Sequence, residues 1–203
     1  MVNMGFKAWF KDKTADKVLL PIRDKIADIV EPNSNVLEVG SGTGHLLFKL
    51  SKKVNSSVGI DIDQQMINFA ENKRKKLGIN NLQFFNSRIE TLNTHTNINF
   101  DISTATLCLH EMKCHDALNT LKKMATISKQ IIIADFTEPK TFGGKMGIEF
   151  DELISGHYSH FKSYGKMGYF PYISSQAELN ITSTIETSID GMNIWVVESN
   201  VFT

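Results

Sequence analysis

Apolar residues along this chain switch repeatedly between two spacings, and that switching predicts the architecture. From Thr14 onward Ala15, Val18, Leu19, Ile22, Ile26, Ile29 and Val30 recur every three or four positions, the period of one helix face. Pro32 and Asn33 stop that helix. Val36-Leu37-Glu38-Val39 then predicts a short buried strand, and Leu46, Leu47 and Leu50 start the next helix. Val58 to Ile62 predicts a second strand, followed by a helix marked by Met66, Ile67, Ala70 and Leu77 and ended by Gly78. Leu82 to Phe85 and Phe100 to Leu107 predict strands three and four. A helix over 117–127 follows, and Ile131 to Ala134 predicts a fifth strand, apolar enough to be covered on both faces.

Strands alternating with helices predict an α/β fold: a doubly wound, mostly parallel sheet with helices on both faces. The tail breaks the rhythm. Strand-like runs at 181–188 and 193–199 flank turn residues around Asp190-Gly191-Met192, which predicts an antiparallel hairpin at the sheet edge. With 203 residues the chain suits one domain, and no repeat or linker interrupts it.

Charge narrows the partners. Lys plus Arg number 22 and Asp plus Glu number 22, so no global field favours a polyanion or an anionic membrane. The run Lys73-Arg74-Lys75-Lys76 reads as a solvated helix face. Two cysteines are too few for a disulfide framework, and no apolar run approaches the length of a membrane span. With no secretory pattern at the N-terminus, the expectation is a soluble cytoplasmic protein with no nucleic-acid partner. Cys108, His110, Cys114 and His115 are all possible ligands, but their spacing matches no zinc pattern, so no metal is expected.

The richest local signal is Val36 to His45, where a strand runs into Gly40, Gly42 and Gly44 and then into a helix start. Such a turn needs glycine for tight geometry and close ligand approach, and its helix-start N–H groups attract negative charge. The dinucleotide fingerprint needs a third glycine where His45 stands. Glu38 at the strand end would repel a pyrophosphate and suits a ligand carrying an ammonium group. Asp61, 21 positions after Gly40, closes the second strand, where a carboxylate can accept both hydroxyls of a ribose. Asp63 reads as a helix cap. Together these favour an amino-acid-bearing nucleoside over NAD.

Glu38-Val39-Gly40-Ser41-Gly42-Thr43-Gly44 with Gly59-Ile60-Asp61-Ile62 resembles the class I S-adenosylmethionine-dependent methyltransferases. Phe100-Asp101-Ile102, Leu107 to His110 and Ile133 to Pro139 are similar to the branch containing the ubiquinone and menaquinone biosynthesis methyltransferases. The resemblance covers about Val36 to Pro139 and implies a Rossmann-like sheet of seven strands with S-adenosylmethionine as cofactor. It places Glu38, Gly40, Ser41, Gly42 and Gly44 around the methionine part, Asp61 and Ile62 at the ribose and one adenine face, and Ala105 and Leu107 on the sulfonium side. The family often has an acidic residue after the third strand that meets the adenine amino group. Arg88 stands there instead and cannot accept that bond, so a backbone group at Arg88 or Ile89, or a slip towards Glu90, takes the role.

On this reading 1–203 is a single methyltransferase domain: an N-terminal helical cover (1–33), a cofactor core (34–139), a substrate lid region (140–176) and an edge hairpin (177–203). Methyl transfer to an acid needs a base near the end of the fourth strand, and His110, Glu111, His157 and His160 are the candidates. Eight aromatic residues between Phe142 and Tyr172, on a helix over roughly 145–163 and beyond, form either a lid over the cleft or ordinary core. Phe6, Trp9 and Phe10 complete such a cover or pack beside the first helix. A small-molecule acceptor is the leading expectation. An RNA or protein acceptor and a non-catalytic binder of the same fold are the rivals.

Overall fold

The computed structural model describes residues 19–96, 98–146 and 158–199, so Phe6, Trp9, Phe10, Phe150 and His157 lie outside the described residues. The chain divides into two compact units after Thr104.

In the first unit, helix α1 (Leu20–Ile29) begins with Pro21 in its first turn, where the missing N–H costs nothing, and it buries Ile22 and Ile26. Strands β1 (Asn35–Val39) and β2 (Ser56–Asp61) run parallel, with Glu38 opposite Gly59 and Val39 opposite Ile60. Strand β3 (Leu82–Asn86) continues the parallel set, with Gly59 opposite Phe84 and Asp61 opposite Asn86. Helix α2 (His45–Leu50) buries the three leucines read from the sequence. Helix α3 (Gln64–Leu77) starts at the expected cap, where the Asp63 carboxylate accepts from the Gln65 amide at 2.8 Å. It ends at Gly78, in the left-handed conformation with φ 66°. A 3-10 turn (Ile89–Thr94) leads towards β4 (Phe100–Thr106).

The second unit begins inside β4 and turns through a short 3-10 helix (Leu109–Glu111) into α4 (Cys114–Ile127), which buries Ala117, Leu121, Met124 and Ala125. Strand β5 (Ser128–Phe136) is buried from Ile131 to Phe136. After α5 (Tyr158–Met167) and α6 (Tyr169–Gln176) come β6 (Ile181–Glu186) and β7 (Met192–Glu198). Strand β7 is antiparallel to both β5 and β6. The whole is a mostly parallel sheet of seven strands in the order β3-β2-β1-β4-β5-β7-β6. The hairpin thus sits at the edge, with β6 outermost. That strand carries Thr182, Ser183 and Thr184 and a register shift between Ile181 and Ser183, features that discourage edge-to-edge pairing.

Of the helix expected over roughly 145–163, residues 145–146 and 158–163 are helical, and 147–157 lie outside the described residues. Helix α5 runs on to Met167, where Gly168 (φ 100°) and Tyr169 (φ 59°) break it sharply before α6. The rings differ in burial. Phe161, Tyr164 and Phe170 are core, the last packed on Trp195 at 5.1 Å, whereas Phe142 is 79% exposed. The start of this segment is tied to the β6–β7 turn: the Asp190 carboxylate accepts from the Thr141 hydroxyl and from the Lys140 and Thr141 amides. The Thr141 hydroxyl first, then the Lys140 amide, holds that carboxyl below its ordinary range. A depressed carboxyl contributes stability above its unfolded value and loses it as pH falls through the folded one.

One close contact governs the first unit. A Cβ added at Gly59 would sit 2.6 Å from the Phe84 ring and 2.8 Å from Ser41 Oγ. Gly59→Ala therefore overpacks this layer, and a loss of about 1–3 kcal/mol is expected in urea unfolding. Combining it with Phe84→Leu should recover part of that loss in a double-mutant cycle.

Candidate functional site

The glycine loop between β1 and α2 takes the form that its spacing implied. Gly40, Gly42 and Gly44 have φ of 70°, 52° and 79°, a region in which a side chain is strained. At Gly44 a second constraint acts, because a Cβ there would collide with the Phe84 ring. Phe84, which packs against Phe48 at 5.6 Å, underlies the loop and was not singled out in the sequence. Its signal was available: an aromatic on β3 directly opposite a strand glycine.

Asp61 does more than end its strand. Its Oδ2 accepts from the Gly42 amide at 2.8 Å and its Oδ1 from the Asp63 amide at 2.8 Å. One carboxylate therefore holds the loop after β1 and the turn after β2 together. Each oxygen keeps further acceptor capacity. The Ser41 amide adds a bond to the Ile60 carbonyl at 3.0 Å. Glu38 is 4% exposed at the end of β1, and buried Ser41 Oγ has no hydrogen-bond partner among the described residues. Ile62, immediately after Asp61, is 70% exposed.

After β3, the Arg88 carbonyl already accepts from the Thr91 amide, the Thr91 hydroxyl and the Ser87 hydroxyl. That carbonyl is committed to starting the 3-10 turn. Ile89 is buried, and Glu90 stands exposed in the turn's first residues.

In the second unit, Ala105 is buried near the end of β4, and Leu107 has φ 50°, an uncommon conformation for a branched apolar residue. The Leu107 amide donates to the Ala134 carbonyl at 2.8 Å, which holds this bend. His110 follows, only 2% exposed, with Nδ1 2.6 Å from Asp135 Oδ1. Asp135 also accepts from the amides of Phe136 at 2.7 Å, Leu109 at 3.1 Å and His110 at 3.3 Å. Four donors offset the cost of burying that carboxylate. An acceptor at Nδ1 fixes the tautomer, so the proton sits on Nδ1 and the lone pair of a neutral ring on Nε2. The rings of Phe136 at 4.6 Å and Tyr164 at 6.3 Å wall the imidazole.

The other candidates are placed differently. Glu111 is exposed, and its carbonyl accepts from His160 Nδ1 at 2.7 Å, which sets the His160 ring on α5. Asp135 escaped the sequence reading, although an aspartate closing an otherwise apolar strand was the available signal.

The chain and its fold have counterparts in known proteins. The family profile described as "Methyltransferase domain" matches residues 30–182 and so runs through both units. The chain belongs to the methyltransferase-domain family. Members of its class I are S-adenosylmethionine-dependent. An uncharacterized methyltransferase, YcgJ of Bacillus subtilis, is 27% identical over 95 residues, 47% of this chain and 36% of that protein. The chain spans about a third of the length of the first curated relatives it matches. Among solved structures, an S-adenosylmethionine-dependent methyltransferase from Aquifex aeolicus shares 18% identity, with TM-score 0.65 over 96% of this chain and 98% of that one. Magnesium protoporphyrin IX methyltransferase from Synechocystis, solved with S-adenosylhomocysteine, shares 20% identity, with TM-score 0.62 over 98% and 89%. The quinone-biosynthesis branch remains a resemblance of motifs.

The methyltransferase family uses S-adenosylmethionine, and features of the first unit fit that cofactor. The buried Ser41 hydroxyl has no partner among the described residues, and an aliphatic side chain lies open beside a carboxylate with spare acceptor capacity. Asp61→Asn would turn an amide NH₂ towards either the Gly42 or the Asp63 N–H. Binding of S-adenosylhomocysteine should weaken at least about tenfold in calorimetry, since one buried unmade bond costs about 1–3 kcal/mol.

Proposed function

We propose that this methyltransferase transfers a methyl group from S-adenosylmethionine to a small-molecule acceptor, and that both units serve this one domain. In this reading the Glu38 carboxylate receives the cofactor's ammonium, and the glycine loop at Gly40, Ser41, Gly42 and Gly44 admits its amino-acid part. Asp61 accepts the ribose hydroxyls, and Ile62 covers one adenine face. The adenine edge meets the Ile89 backbone or the Glu90 carboxylate, because the Arg88 carbonyl is already engaged. Ala105 and Leu107 line the sulfonium side. The bound cofactor supplies a methyl on a positive sulfur, open to in-line displacement.

The observation that supports a small acceptor is the aromatic setting of the His110–Asp135 pair, walled by Phe136 and Tyr164, with Phe161 packed on Phe136. A compact, ring-walled setting suits a molecule that can be surrounded. A nucleic-acid acceptor would call for a cationic surface, and the chain's formal charge is zero. In the transfer, His110 Nε2 takes the acceptor's proton as the new bond to the methyl carbon forms. Asp135 positions the ring and stabilises the imidazolium. His160, with Nδ1 already given to the Glu111 carbonyl, orients this wall and is not assigned the base.

Methyl-labelled cofactor incubated with a cell extract tests the acceptor class. Label is expected in the small-molecule fraction, and label confined to precipitated RNA or protein would overturn the reading. His110→Gln should lower the transfer rate at least about a hundredfold. It should leave S-adenosylhomocysteine affinity within about twofold, and an unchanged rate would remove His110 as the base.

A further inference from the structure

Phe136 closes β5 next to Asp135 and is as buried as His110, each being 2% exposed. One atom holds both residues. Asp135 Oδ1 lies 2.6 Å from His110 Nδ1 and also accepts the Phe136 amide at 2.7 Å. The two ring centroids stand 4.6 Å apart with a tilt of 55°. That separation is near the lower end of aromatic contacts, where one ring overlaps the other's face instead of meeting it rim to rim. Phe161 packs T-shaped on the Phe136 ring at 5.3 Å and limits its movement.

An aromatic ring and an aliphatic side chain of similar size exclude water alike, but only the ring has a quadrupole with negative faces. A cation within about 6 Å of a ring centroid is attracted by that face, most strongly where water is absent. Neutral His110 carries its proton on Nδ1, towards Asp135. When Nε2 takes a second proton the ring becomes an imidazolium, and its positive charge forms beside Phe136. The other titratable groups around it come from the two elements that pack on this turn and from the turn itself. Strand β5 supplies Asp135. Helix α5 supplies Tyr164, whose ring lies 6.3 Å away, and His160, whose Nδ1 is given to the Glu111 carbonyl. Burial first, then the Asp135 carboxylate and Tyr169, pushes the Tyr164 hydroxyl well above its ordinary pKa, so that ring stays uncharged. Glu111, on the turn, is exposed.

From the shared Asp135 anchor and the 4.6 Å ring contact, we propose that Phe136 is a positioning residue for methyl transfer, one that acts through His110. Its ring face stabilises the imidazolium and makes Nε2 a stronger base than it would be against an aliphatic wall. The inference rests on the reading of His110 as the base. It assigns the two neighbours at the end of β5 complementary parts: Asp135 sets the tautomer and supplies the charge, and Phe136 supplies the polarisable face.

Titration of the His110 ring by NMR in the full chain tests this without any acceptor, with its signal assigned by its loss in His110→Gln. Phe136→Leu keeps the site apolar and should lower the His110 midpoint by about 0.5–1.5 pH units. Phenylalanine carrying one, two and three ring fluorines at position 136 keeps the packing, and the midpoint should fall stepwise with each. The same step should persist in a His160→Gln background. In the rate profile the sign follows: a weaker base stays neutral to lower pH, so the acid limb moves down by the same amount, and the plateau falls about two- to fivefold. A midpoint that stays fixed or rises along the fluorine series would overturn the inference. A midpoint that falls while the acid limb stays fixed supports the ring's effect on His110 and removes His110 as the base, so the two readings fail separately.

Discussion

The glycine loop is held by a carboxylate as well as by its own backbone. Three residues with positive φ make a flexible segment, and flexibility is a poor property for a cradle. Asp61 corrects this by accepting one amide from the loop and one from the turn after its own strand. The loop conformation, the start of α3 and the end of β2 thereby become one object. Any ligand hydroxyl that meets Asp61 meets a group already positioned, with little ordering left to do on binding.

The second unit repeats the device. Asp135 closes β5 and gathers the amides of Leu109, His110 and Phe136 together with the His110 imidazole. In each unit a strand-end carboxylate organises a loop that the backbone alone would leave loose. The difference is burial. Asp61 keeps acceptor capacity at a partly exposed surface, whereas Asp135 lies inside, so its charge acts through the ring it holds. Leu107, with its strained φ of 50°, marks the bend after β4 in the second unit.

Most of the architecture was legible in the apolar spacing, because buried strands and amphipathic helices leave different periods. The hairpin was legible from its turn residues, and Asp63 and Gly78 from cap chemistry. The helix break at Gly168–Tyr169 was not, since one glycine inside a helical pattern does not reveal which way its φ will turn. Of the site, the glycines and Asp61 were readable because their geometry is local. Phe84 and Asp135 were not, because each acts on residues 25 to 40 positions away, a separation that only the folded sheet removes. Tyr164 was seen as one ring among eight, and what distinguishes it is an unmet hydroxyl, a property of its surroundings.

The bond network at Asp190 also carries a consequence for the order in which the molecule can be completed. The residues it grips, Lys140 and Thr141, leave the ribosome some 50 positions earlier. At a synthesis rate of about 5–20 residues per second, that is a delay of about 3–10 s. Through that interval the chain after β5 is present but has nothing to anchor its first turn. The glycine cradle of the first unit, with all its partners already emerged, can form well before it. Assembly therefore finishes in the second unit, sealed by the last hairpin to be made.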